Sequence, residues 1–194
     1  MGHLAQLQGP HGGYYDGNTP VAGYRGEHGN ALTAGDGITT GQTGTPYQAY
    51  VENVGPLIKT TIVVDLTGLN SSTAGDIIGK NGGTANCHIG QITTAVCGQV
   101  FKGTMSCAET PLTGEPDIDL YSATEATGAE DAAISGLAET AILDAAIDWT
   151  KGVQKDFTGN VVADQYLYLV GSGGGTDATY TAGIMVIELW GIAV

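Results

Sequence analysis

Residues 164–190, DQYLYLVGSGGGTDATYTAGIMVIELW, hold two runs that alternate strictly along the chain. Tyr166, Tyr168 and Val170 interleave with Leu167 and Leu169, and Ile184, Val186 and Glu188 interleave with Met185, Ile187 and Leu189. A period of two sends successive side chains to opposite faces of a strand. Both faces here are largely apolar, so the runs are best shielded from water inside a sheet covered on both sides, as in a sandwich. Between them, residues 171–182 have loop composition, rich in Gly, Thr and Ala, and are too long for a two-residue turn. The stretch therefore reads as a β-hairpin with an exposed tip available for contacts.

The same pattern recurs upstream. Residues 58–66 (IKTTIVVDL) are β-branched and are followed by a turn region at 68–75; residues 76–79, 87–96, 100–107 and 118–122 are further strand candidates, separated by Gly, Pro and Asn. Many short strands spaced by turns point to an all-β, antiparallel β-sandwich of about eight strands over residues 57–194. One segment fits two readings. Ile134, Leu137, Ala138, Ala141, Ile142, Ala145 and Trp149 recur at helical spacing, whereas Gly136 and Ile147 disturb the stripe and leave short strands as the alternative.

Residues 1–56 differ from the rest. They are Gly-rich and no period persists, so they cannot bury enough apolar surface to fold alone. They are read as an extended N-terminal arm. Tyr14, Tyr15, Tyr24, Tyr47 and Tyr50 then serve as anchors on a partner, since a tyrosine buries a ring while keeping its hydroxyl paired; a disordered tail is the alternative.

Charge narrows the partners. Six Lys and Arg against 20 Asp and Glu give a net charge of −14, which repels phosphate backbones and anionic membrane surfaces, so direct nucleic-acid or membrane binding is not expected. No secretory signal or long apolar span is visible, and Cys87, Cys97 and Cys107 read as reduced thiols of a protein made inside a cell. Cys87, His88, Cys97 and Cys107 could in principle hold zinc, but there is no C-x-x-C knuckle, and small core residues account for the thiols. His3, His11 and His28 fall in the arm. Asp117 and Asp119 share a strand face as a glycosidase pair would, yet an acidic strand face explains them as well. The run 171–175 lacks the Gly-Lys-Ser/Thr of a phosphate loop, and no positioned base or nucleophile elbow is present. The expectation is a protein that is not an enzyme and uses no cofactor or metal.

The C-terminal stretch, Tyr166-Leu-Tyr-Leu-Val-Gly, then a Gly/Thr/Ala loop, then Tyr180-Thr-Ala-Gly-Ile-Met-Val-Ile-Glu-Leu-Trp-Gly, resembles the end of small tailed-phage virion proteins of the head-decoration, or capsid-cement, type. The resemblance covers about the last thirty residues. It implies a jelly-roll-like sandwich, a homo-trimer, the major capsid protein as partner, and a place on the outside of the virion after synthesis in the host cytoplasm. A tail-fibre or adhesin-like β-module, with the 171–180 loop reading a host glycan, is the alternative.

Overall fold

The computed structural model describes residues 32–44, 47–174 and 177–194, and the backbone of two short paired strands, β1 (Tyr15–Asp16) and β2 (Thr19–Pro20). After these come α1 (Asp36–Thr39), β3 (Gln48–Val54), β4 (Leu57–Asp65), β5 (Leu69–Ser71), β6 (Gly79–Lys80) and β7 (Gln91–Ile92). The chain continues through α2 (Thr94–Cys97), β8 (Gln99–Leu112), β9 (Ile118–Ala123), β10 (Glu139–Leu143), β11 (Gln154–Asp156), β12 (Gln165–Gly171), β13 (Ala178–Thr179) and β14 (Ala182–Ile192). All strand pairings are antiparallel, and the two helices are single turns. The fold is an all-β sandwich. A five-stranded sheet of order β11-β8-β14-β4-β3 and a four-stranded sheet of order β10-β9-β12-β7 supply most of one core, and a small sheet β13-β5-β6 joins it.

Alternation explains the central strand. Along β14, Met185, Ile187 and Leu189 are fully buried, while Ile184, Val186, Glu188 and Trp190 lie half-buried on the other face. That outer face carries an ion pair between Lys59 and Glu188, and the Lys59 ammonium sits 5.6 Å from the Trp190 ring centre. β12 is different because both of its faces are covered from Leu167 onward. On one of them the Tyr168 hydroxyl donates to the Glu125 carbonyl at 2.7 Å and accepts from the Gly128 amide.

Two sequence expectations are corrected, and the segment left open between helix and strand is decided for strand. Residues 164–190 do not form a hairpin, because β12 pairs with β9 and β7 in one sheet while β14 pairs with β8 and β4 in the other. The intervening segment crosses between layers, and β13 ties it to β5. Nor is Tyr180 at an exposed tip: it is 1% exposed, and its hydroxyl donates to the Glu115 carbonyl at 2.7 Å. Residues 130–149 form no α-helix; a 3-10 turn at Ile134–Gly136 leads into β10. Burial there follows Ile134, Ile142, Leu143, Ala145 and Trp149, while Ala138 and Ala141 of the helical stripe are exposed.

The second correction carries the body from residue 57 back to at least residue 32, the start of the described residues before β3. β3 pairs with β4 along its whole length, from Gln48 opposite Val63 to Val54 opposite Leu57. Leu32, Ala34 and Ile38 are core residues. The strap they sit on is held by Gly35 N–H to the His88 carbonyl and Gly37 N–H to the Asn86 carbonyl, both at 2.8 Å. Glycine is needed here for contact, since a Cβ on Gly35 would stand 2.1 Å from the Asn86 oxygen and one on Gly37 would stand 2.4 Å from the Cys87 sulfur. Composition that reads as flexible is used for close backbone approach.

Candidate protein-docking surface

Five large hydrophobic side chains are exposed among the described residues: Phe101, Leu112, Val162, Ile192 and Val194. Leu112 stands at the far end of β8, where Ala182 pairs with it. Of the other four, Phe101 lines one cleft and Val162 and Val194 line a second that shares Val100 and Val161 with it, while Ile192 ends β14 opposite Gln99 of the second cleft.

The backbone causes this gathering. In the β8–β14 ladder Trp190 pairs with Lys102 but Gly191 pairs with Val100, so Phe101 is an extra residue in a bulge. A bulge re-aims its side chain, and Phe101 is 57% exposed. Behind it, the Phe157 ring occupies the space above Gly103, where a Cβ would lie 2.1 Å from the ring, and the Phe157 amide donates to the Gly103 carbonyl at 2.9 Å. Phe157, Val100 and Val161 are partly buried and pack on the core, forming a firm floor. The first cleft, of about 250 Å³, runs over this floor; the second, of about 350 Å³, lies between Ile92, Val162 and Val194.

Electrostatics set this end apart. Lys102 and Asp156 line the first cleft and pair at 3.8 Å, with both side chains largely in water, so the pair contributes little energy but leaves the rim locally neutral. On a chain of net charge −14, a locally neutral apolar end is where another acidic surface can approach with least repulsion. Clustered exposed apolar side chains of this kind mark interaction sites in soluble proteins.

The residues singled out in the sequence lie elsewhere. Tyr14 and Tyr24 are outside the described residues, as are His3, His11 and His28, and of Tyr15 only the backbone is described. Tyr47 is 4% exposed, and its hydroxyl donates to the buried Ile89 carbonyl at 2.7 Å, which makes it a core residue and not a surface anchor. Tyr50 is half-buried on β3, where its hydroxyl bonds the Gln48 side chain. Cys87, Cys97 and Cys107 are buried free thiols, and burial pushes all three up, Cys87 to about 11. The Cys87 and Cys107 thiols donate to the Ala85 and Glu109 carbonyls.

Asp117 and Asp119 are engaged by backbone. The Asp119 carboxylate accepts from the Ala145 amide at 2.7 Å and Asp117 accepts from Ile147 at 3.3 Å, so the pair suspends the segment that ends in Trp149. Burial first, then neighbouring carboxylates, raises both above the usual aspartate range. An acid with a raised folded pKa binds protons more readily in the folded state, so its ionisation costs stability as pH climbs from the unfolded value, about 4, through the raised one. Asp119→Asn keeps an acceptor and removes the charge. The melting temperature of the variant relative to wild type is expected to rise as pH climbs above about 4, the unfolded aspartate value. Parallel profiles for the two proteins would show that ionisation of Asp119 carries no such cost.

None of the four docking residues was singled out from sequence. Val162 and Val194 lie in short apolar runs without period, and Phe101 reads as an ordinary strand position until the bulge turns it out. Comparison with protein-family models, with characterised proteins and with solved structures finds no match to this chain.

Proposed function

We propose that this protein is a structural virion protein that decorates the outside of a tailed-phage head, seating the end of the sandwich formed by Phe101, Val162, Ile192 and Val194 on the major capsid protein. The observation that carries the reading is the gathering of four of the five exposed large hydrophobics of the described residues at one locally neutral end. The resemblance of the C-terminal stretch to decoration proteins supports the same role, as does an acidic charge that keeps the protein off nucleic acid. A homo-trimer would present three such ends together, and the resulting avidity would hold the protein on a shell without high affinity at any one contact.

The test is occupancy on purified shells. A Phe101→Asp, Val162→Asp double variant alters two exposed side chains and should keep the fold. Its attachment is expected to weaken by about 10- to 100-fold, the loss typical of interface anchors. Leu112→Asp, at the other end of β8, should bind as wild type. Full occupancy by the double variant, or an equal loss with Leu112→Asp, would remove this end as the contact.

A further inference from the structure

A third cleft lies on the flank of the molecule, between the strap and the start of β12. Its volume is about 510 Å³, within the ~300–1,000 Å³ range of small-molecule sites. Leu32, Asp36, Asn86, His88, Gln91 and Tyr166 line it.

The fold sets these groups firmly. Gln91 of β7 is the register partner of Tyr166 of β12, so the amide and the phenol stand side by side on one face. The Gln91 Nε2 donates to the Asp164 carbonyl at 3.1 Å, which orients the amide and leaves its oxygen as an acceptor. His88 meets Tyr166 edge-on, with ring centres 4.9 Å apart at 60°, and lies 6.4 Å from the Tyr168 ring. The Nδ1 of His88 is enclosed and has no hydrogen-bond partner among the described residues. Adding a proton at that atom would bury an unpaired N–H, and burial does lower the histidine below its ordinary value. The ring is therefore held neutral, with its proton on Nε2, and acts as a donor. On the rim, the Asp36 carboxylate and the Asn86 amide are exposed.

We infer that this cleft binds a neutral saccharide unit. A sugar ring has an apolar C–H face that packs on an aromatic side chain, and a rim of hydroxyls that each both donate and accept. The cleft offers the matching set: the Tyr166 ring, acceptors on Asp36 and Gln91, and donors on Asn86 and His88. Asp36 is the one charged side chain in the lining and is negative, and the chain as a whole is strongly acidic, so acidic sugars are disfavoured. A quaternary ammonium would use several aromatic faces and few amides, whereas this lining has one tyrosine beside amides and hydroxyls. The site is separate from the apolar end formed by Phe101 and Val162, and the inference holds whether or not that end seats on a shell. It differs also from the 171–180 loop, which the sequence suggested for glycan contact and which is pinned by Tyr180 and by the Ser172 amide on the Asp117 carbonyl at 2.8 Å.

Ligand-observed saturation-transfer NMR on the full chain tests the inference, with glucose, galactose, N-acetylglucosamine and choline as separate probes. Transfer to at least one of the sugars is expected. It should fall about ten-fold in Tyr166→Ala and in Asp36→Ala, the loss that follows from deleting one packed or hydrogen-bonded contact. Asp36 is exposed, so its variant keeps the fold and remains a fair test if Tyr166→Ala is unstable. No transfer to any sugar, undiminished transfer in Asp36→Ala, or transfer to choline in place of the sugars would overturn the inference. Shell occupancy of Asp36→Ala should equal that of wild type, which separates failure here from failure of the docking proposal.

Discussion

Replacing Trp149 with alanine is expected to lower the unfolding free energy by about 3 to 5 kcal/mol, the cost of emptying a large buried aromatic site. Trp149 is fully buried, and its indole N–H donates to the Ile118 carbonyl at 2.8 Å. Its own amide donates to the Pro116 carbonyl at 2.9 Å, and an isolated bridge joins Asp117 to Asp148. The ring thus anchors residues 144–149 to the start of β9, and the carboxylates of Asp117 and Asp119 hold the same segment from the other side. Removing the ring loses burial and leaves a cavity that these bonds keep from collapsing. A domain of this size is stable by only about 5–15 kcal/mol, so the loss is a large share of the total. Trp149→Phe should be milder, about 1 to 3 kcal/mol, since much of the ring volume remains while the indole hydrogen bond is lost. Denaturant midpoints and slopes for the three proteins measure this. A shift under about 1 kcal/mol for the alanine variant would mean the segment is not fastened as described.

Tyr47→Ala is expected to cost a similar amount, about 3 to 5 kcal/mol, and to act on the fold and not only on a partner. Tyr47 joins the strap to the body. Its hydroxyl reaches the Ile89 carbonyl, its amide donates to the Gln42 side-chain oxygen at 2.9 Å, and Gln42 in turn donates to the Asp65 carbonyl. Loss of the ring should loosen residues 32–44 first, so the Gly35 and Gly37 amides, bonded to His88 and Asn86, should exchange hydrogen faster than those of β14. Tyr47→Phe keeps the ring and loses one buried hydrogen bond, which costs about 0.5 to 1.5 kcal/mol. Equilibrium unfolding with amide exchange separates the two roles. Unchanged midpoints and unchanged exchange in Tyr47→Ala would return the residue to the set of surface anchors.

Loosening the strap also bears on the saccharide cleft, because Leu32 and Asp36 form one wall of it. Tyr47→Ala should therefore weaken sugar transfer while leaving the Phe101 and Val162 end intact.

The amino-acid sequence by itself determined the strand class and the approximate places of the long strands. β4, β8, β9, β12 and β14 coincide with alternating or β-branched runs, because alternation is a local property that any strand with a buried face must show. Pairing was decided only by the tertiary structure. β12 and β14 are separated in sequence only by a short segment that carries β13, yet they enter different sheets, and nothing in their own residues distinguishes a hairpin from a crossing between layers. The strap was illegible for a related reason, since the missing Cβ of Gly35 serves a flexible chain and a close contact equally well until the Asn86 oxygen is in place. At Ala141 and Ile142 the helical stripe was real as a pattern, but β9 offered a partner edge and β10 took it. Both candidate sites belong to this second category. The apolar end depends on a one-residue slip between β8 and β14, and the cleft on the register that sets Gln91 beside Tyr166, so each exists only once distant strands have fixed their pairing.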